Sequence, residues 1–149
     1  MQKLNLPEAE LKIIKEADKQ KVFDIIRKKY VVLTPEEYVR QQFIRYLINE
    51  KKYPKGLISV EKQLKVYDTE KRADIVLFNT SAKPVVIAEL KAPSVNITQK
   101  AFDQAARYNM NFKADYLIVT NGLKHYCCKL DYENNTYSFL KEIPNYENL

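Results

Sequence analysis

Residues 72–91 read RADIVLFNTSAKPVVIAELK, and this stretch decides the fold. It contains two largely apolar, β-branched runs, residues 72–76 and 86–91, that are typical of central strands, yet both carry charge where burial should forbid it. Side chains two residues apart on a strand point the same way, so Glu89 and Lys91 share a face. If Asp74 faces them, two hard oxygen ligands and a cation meet, which suits Mg²⁺-assisted attack of water on a phosphodiester.

The composition fits one domain spanning residues 1–149, because 46% of the 149 residues are hydrophobic and 30% are charged. No apolar run approaches membrane-spanning length and the N-terminus lacks a signal pattern, so we expect a cytoplasmic protein with no membrane partner. The net charge of +6 favours anionic partners such as nucleic acid, although a solvated lysine-rich surface explains it equally well.

Rare residue types exclude several classes of function. Gly56 and Gly122 are too few for a glycine-rich phosphate loop of the Walker or dinucleotide-binding kind. The single histidine, His125, argues against a His-based triad and excludes a zinc site of several histidines or of Cys and His. The adjacent Cys127 and Cys128 are expected to be reduced, because a disulfide between neighbours is strained. Carboxylate and metal chemistry is what remains.

The order of elements predicts a mixed sheet between two helices. Thr34 and Pro35 form a strong helix start, and Thr98 caps a second helix. Because a strand-to-strand return through a helix implies a parallel pair, we predict an α/β sandwich with a helix on each side. The predicted helices cover about residues 35–52 and 99–112, and the predicted strands cover residues 57–67, 72–78, 84–91, 116–120, 125–130 and 136–140.

Residues 1–33 are interpreted as an N-terminal extension that packs on the core. Residues 11–14 and 22–23 fit either short strands or the start of a helix. Ile25, Ile26 and residues 30–33 are expected to be partly buried.

Asp74 followed by Glu89-x-Lys91, on successive strands between two helices, resembles the PD-(D/E)XK nuclease superfamily. The resemblance extends to Gln104-x-x-x-Tyr108 on the second helix, a motif of the RecB-like branch. Across residues 34–122 the chain is similar to the N-terminal nuclease domain of type I restriction enzyme R subunits, without the helicase motor of such a subunit. The resemblance implies a restriction-endonuclease-like core, a mixed central sheet flanked by helices, with Mg²⁺-dependent endonuclease activity on DNA.

The resemblance also implies roles for individual residues. Asp74 and Glu89 would coordinate Mg²⁺, or Mn²⁺ in its place, with the Leu90 carbonyl as a further ligand. Lys91 would orient the attacking water and offset negative charge in the transition state. On the second helix, Gln104 and Tyr108 would position the substrate or the metal-bound water.

Each role has a simpler alternative. Asp74 could pair with Arg72, which lies two residues away on the same face of the strand. Glu89 and Lys91 could form an exposed ladder on an edge strand, although the surrounding apolar residues favour a central one. The two helix residues could be ordinary boundary residues beside an apolar stripe.

The first helix offers two acidic residues for an auxiliary catalytic position. Glu37 lies third after the Thr34 cap, so a capping box explains it. Glu36 lies one turn before Arg40 and is expected to point toward the sheet, which makes it the preferred candidate. Arg40 could pair with Glu36 or contact phosphate.

The leading functional interpretation is a Mg²⁺-dependent DNA endonuclease that acts with restriction–modification subunits or as a homodimer. One alternative is a nuclease-fold module that binds DNA or protein and is inactive alone. Another is a resolvase-like nuclease for branched DNA that acts as a homodimer. The intact set of Asp74, Glu89 and Lys91 counts against an inactive site.

Overall fold

The computed structural model describes residues 1–66 and 69–149. Tyr67, the end of one predicted strand, lies outside the described residues. In chain order the elements are β1 (Ile13–Glu16), β2 (Lys19–Asp24), β3 (Lys29–Val32), α1 (Pro35–Asn49), β4 (Ile58–Val66), β5 (Thr69–Phe78), β6 (Pro84–Leu90), α2 (Gln99–Met110), β7 (Tyr116–Thr120), β8 (His125–Asp131) and β9 (Thr136–Leu140).

A six-stranded sheet in the order β4-β5-β6-β7-β8-β9 forms the centre of the protein. Strands β6 and β7 pair in parallel, with Val86 opposite Tyr116, and the other neighbouring strands pair antiparallel. Helix α2 makes the connection between the two parallel strands, as such a pair requires. The prediction of a mixed α/β sheet is therefore confirmed.

The two helices cover opposite faces of this sheet, because its alternating side chains divide into two hydrophobic clusters. Phe43 and Leu47 of α1 belong to one cluster, and Phe102 of α2 belongs to the other. The adjacent Cys127 and Cys128 show the alternation, since each is buried in a different cluster and both are free thiols. A helix thus lies on each side of the sheet, as predicted.

Both helices begin at the predicted caps. The Thr34 hydroxyl accepts a 3.0 Å hydrogen bond from the Glu37 backbone N–H, and the Thr98 hydroxyl accepts one of the same length from Ala101. Helix α1 ends at Asn49, earlier than predicted, and Lys52 adopts a left-handed conformation with φ of 62°. Within the described ranges, neither helix is long and apolar enough to cross a membrane.

The N-terminal segment folds as strands, which decides between the two alternatives left by the sequence. Strands β1, β2 and β3 form a separate antiparallel sheet. After β2 the chain turns at Asp24, whose carboxylate accepts hydrogen bonds from the backbone N–H groups of Ile26 and Arg27 at 2.7 and 2.9 Å. Ile25 and Ile26 pack against the core cluster beside α1. This turn attaches the small sheet to the rest of the protein.

Candidate active site

The backbone ladder between β5 and β6 stops at the predicted acidic residues. Ile75 and Ala88 form the last pair, and the next residues along the two strands are Asp74 and Glu89. The Leu90 N–H donates a 2.8 Å hydrogen bond to Asp74 Oδ2 instead of to a backbone carbonyl. On the other side of β6, the Lys91 N–H donates to the Thr120 carbonyl at 2.8 Å. Asp74 therefore joins the ends of the two strands through Oδ2, while its Oδ1 accepts no hydrogen bond from the described residues.

Glu89 and Lys91 lie beside Asp74 and remain open to solvent. Lys91 Nζ is 3.8 Å from Glu89 Oε2, and the exposed fractions of the two side chains are 40% and 27%. Burial raises the pKa of Glu89, and although Lys91 opposes the increase, the negative charge of Asp74 adds to it. The Glu89 carboxylate is thus less than fully compensated by its surroundings.

Glu36 approaches the same place from the first turn of α1. Its side chain is 49% exposed, and its oxygen lies 4.0 Å from Arg40 Nη2. Burial raises the pKa of Glu36, the charge of Asp74 raises it further, and the charges of Arg40 and Lys91 oppose this. We call Glu36, Asp74, Glu89 and Lys91 the carboxylate site. Glu36 and Asp74 both lie within 4.0 Å of Arg40 Nη2, and the catalytic roles of all four residues stay predictions.

The Glu37 side chain makes contacts that a capping box does not include. Its Oε1 accepts 2.8 Å hydrogen bonds from Arg27 Nη2 and Arg40 Nη1, and its Oε2 accepts one of 3.0 Å from Gln41. The Thr34 N–H donates to the Val32 carbonyl. The reciprocal half of the capping box is therefore wrong, because two arginines reach the buried carboxylate and form charge-assisted bonds to it.

Arg40 links this buried carboxylate to the carboxylate site. Its side chain is 5% exposed, and its Nη2 lies 3.7 Å from Asp74 Oδ1. A contact between Arg40 and phosphate, one of the sequence alternatives, is not compatible with this burial. Arg72 does not pair with Asp74 either, because its Nη2 lies 2.5 Å from Glu61 Oε2. The simpler explanation of Asp74 as a partner of Arg72 is wrong.

Glu61 is a residue that the sequence analysis missed. Val60 pairs with Ile75 and Lys62 with Ala73, which leaves Glu61 opposite Asp74 without a ladder pair and with φ of 51°. Burial would raise the pKa of Glu61, but three nearby arginines lower it below the ordinary value: Arg40, Arg72 and Arg27. The antiparallel pairing of β4 with β5, which sets Glu61 opposite Asp74, is the signal that could have located it.

Gln104 and Tyr108 lie on α2, away from the contacts just described. The Tyr108 hydroxyl donates a 3.3 Å hydrogen bond to the Arg72 carbonyl, and Lys71 Nζ lies 5.0 Å from the centre of its ring. Gln104 is exposed one turn earlier. Among the hydrogen bonds of the described residues, neither side chain reaches Asp74 or Glu89. Their positioning role stays a prediction.

The donor atoms at the carboxylate site fit a magnesium ion that keeps most of its water. Asp74 Oδ1, the Glu89 carboxylate and the Leu90 carbonyl are hard oxygen ligands of the kind that Mg²⁺ prefers. Uncompensated negative charge on Glu89 is what a divalent cation would neutralise. No group of three or more His, Cys, Asp or Glu residues in residues 1–66 and 69–149 has an arrangement that could hold a metal alone. Water and substrate phosphate would have to complete the coordination.

Comparison with known proteins places the chain in a family. A family model described as "Type I restriction enzyme R protein N terminus (HSDR_N)" matches residues 35–144. The fold is similar to a solved "fragment structure of a putative HsdR subunit of a type I restriction enzyme from Vibrio vulnificus YJ016", with 20% identity and a TM-score of 0.52. That match covers 76% of this chain but only 24% of the other. No curated protein sequence matches the chain significantly.

Proposed function

Because the chain belongs to the family of type I restriction enzyme R protein N termini, we propose that it is a Mg²⁺-dependent DNA endonuclease domain with a restriction-endonuclease-like core of the PD-(D/E)XK type. The observation that carries the proposal is the meeting of Asp74, Glu89 and Lys91 where the β5–β6 ladder ends. Structural charges this close together on central strands are costly, and a cation bound to substrate phosphate would relieve them.

In the proposed mechanism, Asp74 and Glu89 would hold the metal, together with the Leu90 carbonyl. Bound Mg²⁺ would supply a polarised phosphodiester oxygen and an activated water. Leu90 N–H fixes Asp74 Oδ2, so the carboxylate presents Oδ1 in one orientation without first having to reorder. Lys91, held beside Glu89, orients the attacking water and offsets the negative charge that develops on the phosphate.

Glu36 has the auxiliary role in this proposal. Its half-exposed carboxylate in the first turn of α1 would accept a proton from a water molecule at the outer edge of the site. Gln104 and Tyr108 contact the substrate on the α2 side. Tyr108, bonded to the Arg72 carbonyl, would steady the strand that carries Asp74.

The domain is proposed to act within a restriction–modification assembly. The family name concerns one end of an R protein, and this chain spans about a quarter (24%) of the matching HsdR fragment. Arg40, 3.7 Å from Asp74, already supplies some of the charge that a metal would bring. This favours a second candidate, a nuclease-fold module that is inactive alone and binds DNA or partner subunits.

Cleavage of supercoiled plasmid separates the two candidates. The purified protein is incubated with Mg²⁺ or with EDTA, alone and with the other restriction–modification subunits, and nicked and linear products are quantified. We expect Mg²⁺-dependent cleavage that Asp74→Asn and Glu89→Gln each reduce at least about 100-fold, since each change removes a metal ligand. Lys83→Gln, in an exposed turn, is the matched control and should cut normally. DNA binding without cleavage in every combination would support the binding module.

A further inference from the structure

One face of the small N-terminal sheet points away from the protein and carries aromatic rings. Val22 and Asp24 on β2 are completely buried, so Phe23 between them points to the opposite side. Residues directly opposite each other in an antiparallel pair share a face, which adds Tyr30 beside Phe23 and Val32 beside Lys21. Lys12 joins them through the hydrogen bond between its carbonyl and the Phe23 N–H. We call Lys12, Lys21, Phe23, Tyr30 and Val32 the outer face.

The two rings of the outer face are not part of the protein's core. Phe23 and Tyr30 lie edge to face with their centres 5.3 Å apart, and both lie outside the two core clusters. Lys12 Nζ stands 5.8 Å from the centre of one ring and 5.9 Å from the other. Val32 beside them is 44% exposed. Partly exposed rings held against an ammonium group form a surface that accepts another flat ring together with an anion.

Positive charge is concentrated around this surface. Residues 12–32 contain seven basic and three acidic side chains, a net charge of +4 out of +6 for the whole chain. Lys21 pairs with the exposed Glu16 at 3.4 Å, a solvent-exposed contact that a stronger anion would displace at little cost. Asp24 is withdrawn from the surface because it is buried and bonded to Arg27. The remaining charge complements a phosphate backbone.

We propose that the outer face binds an unpaired DNA strand, with bases stacked on Phe23 and Tyr30 and phosphates held by Lys12 and Lys21. The choice of DNA as ligand rests on the proposed function, whereas the choice of an unpaired strand rests on the rings. Bases inside a duplex stack on each other and offer no face to a protein ring, while unpaired bases do. Aromatic rings combined with positive charge are what proteins that bind single strands use.

The small sheet is firmly attached near the carboxylate site. Arg27, in the turn that follows β2, bonds to Glu37 of α1 at 2.8 Å and lies 3.3 Å from Glu61 of β4. Both carboxylates also bond to Arg40, which reaches Asp74. A DNA strand held on the outer face would therefore lie on a sheet that these ion pairs connect to the proposed cleavage site.

Fluorescence anisotropy in EDTA tests the proposal without requiring cleavage. The probes are labelled oligothymidylate of about 16 nucleotides and a duplex of equal length. Replacing both rings (Phe23→Leu with Tyr30→Leu) keeps an apolar side chain at each position but removes stacking, so single-strand affinity should fall about five- to a hundredfold. The matched control, Phe139→Leu, changes a 49%-exposed ring on β9 and should bind as the parent does. Duplex affinity should be the same for all three proteins.

A second pair of variants tests the phosphate contacts. Lys12→Gln with Lys21→Gln should reduce the salt dependence of single-strand binding by about 0.7 per lost contact. Lys83→Gln with Lys141→Gln, at two other exposed lysines, makes the same change in net charge without affecting the outer face. Equal salt dependence in the two double variants would overturn the lysine assignment.

Photocrosslinking keeps the proposal testable if the double ring variant does not fold. Parent protein is irradiated with an iodouracil-substituted single strand, and the crosslinked peptide is identified by mass spectrometry. We expect a crosslink at Phe23 or Tyr30. Crosslinks confined to other surfaces would refute the proposal that the outer face binds the single strand. So would a folded double ring variant that binds the single strand as tightly as the parent. Either result would leave the cleavage test of Asp74 and Glu89 unaffected, so the two proposals fail separately.

Discussion

Replacing Arg40 with methionine should destabilise the protein by about 2–3 kcal/mol at pH 7. Removing one member of a buried ion pair costs roughly 3–5 kcal/mol when its partner is left uncompensated. Here the loss is smaller, because Glu37 keeps Arg27 at 2.8 Å and Glu61 keeps Arg72 at 2.5 Å. Of the arginines and lysines in the described residues, Arg40 alone lies within 4.0 Å of an Asp74 carboxylate oxygen. Most of the lost stability therefore comes from the Asp74 carboxylate, which is left without a positive partner.

Urea denaturation followed by circular dichroism measures this loss. For a domain of this size, the expected change corresponds to a decrease of roughly 5–10 °C in the thermal midpoint. Arg107→Met is the matched control, since Arg107 is exposed in the last turn of α2 and should change stability by less than about 0.5 kcal/mol. Combining Arg40→Met with Glu37→Gln should cost less than the sum of the two changes, because the two residues share a hydrogen bond.

The Arg40→Met effect should depend on pH in a defined direction. Burial tends to raise the pKa of Glu61, but Arg40 and the neighbouring arginines lower it, so the ionised form stabilises the fold. That contribution is complete above the unfolded pKa and is lost as the pH falls through the folded one. The difference between parent and variant should therefore shrink in acid. A loss below about 1 kcal/mol at pH 7, or a loss that does not shrink as the pH falls through the folded pKa of Glu61, would refute the proposed arginine contacts.

Three further outcomes follow from the contacts of other residues. Mg²⁺ at ten times its dissociation constant should stabilise the parent by about 1.4 kcal/mol in calorimetry. The joint change of Asp74→Ala and Glu89→Ala should abolish this stabilisation, and its retention would exclude the two residues as ligands. Burial and the charge of Asp74 raise the pKa of Glu89, so its ionised form opposes folding above the unfolded pKa. Glu89→Gln should accordingly stabilise the metal-free protein at pH 7 and lose that advantage once the pH falls below the unfolded pKa. Destabilisation at pH 7 would contradict this. Gly122→Ala should lower the free energy of unfolding by about 1–3 kcal/mol in urea denaturation, because φ is +86° and the new Cβ would lie 2.9 Å from Leu4 Cδ2. Gly56→Ala is its control, since a Cβ there would meet no atom within 4 Å. Equal stability of the two variants would refute this explanation.

The central sheet could be predicted from the sequence because the features that specify it lie in short, contiguous segments. Alternating and β-branched runs locate β5, β6 and β7, and the caps at Thr34 and Thr98 locate both helix starts. The parallel pairing of β6 with β7 follows from the helix between them. These features depend on neighbouring residues, which a single sequence contains.

The charge network could not be predicted in the same way, because it joins elements that do not follow one another in the chain. Glu61 lies 34 residues from Arg27 and 21 residues from Arg40, and it contacts both of them as well as Arg72 of its own hairpin. A capping box explains Glu37 from four residues alone, but the interaction that buries it comes from another element. The meeting of Asp74 with Glu89 was predictable because the two strands are joined by one turn.

The central claim is that Lys91 orients the water that attacks a phosphodiester at the metal site of Asp74 and Glu89, and offsets the negative charge that develops there. The single-turnover cleavage rate of Lys91→Ala tests this claim most directly. Parent and variant are compared in the assembly that supports cleavage, with folding checked by thermal denaturation and Mg²⁺ affinity measured separately. Losing one preorganised electrostatic group of this kind should lower the rate by about 10²–10³. Mg²⁺ affinity should stay the same or rise, since a positive charge 3.8 Å from Glu89 is removed. A folded Lys91→Ala protein that cuts DNA at the parent rate would contradict the account.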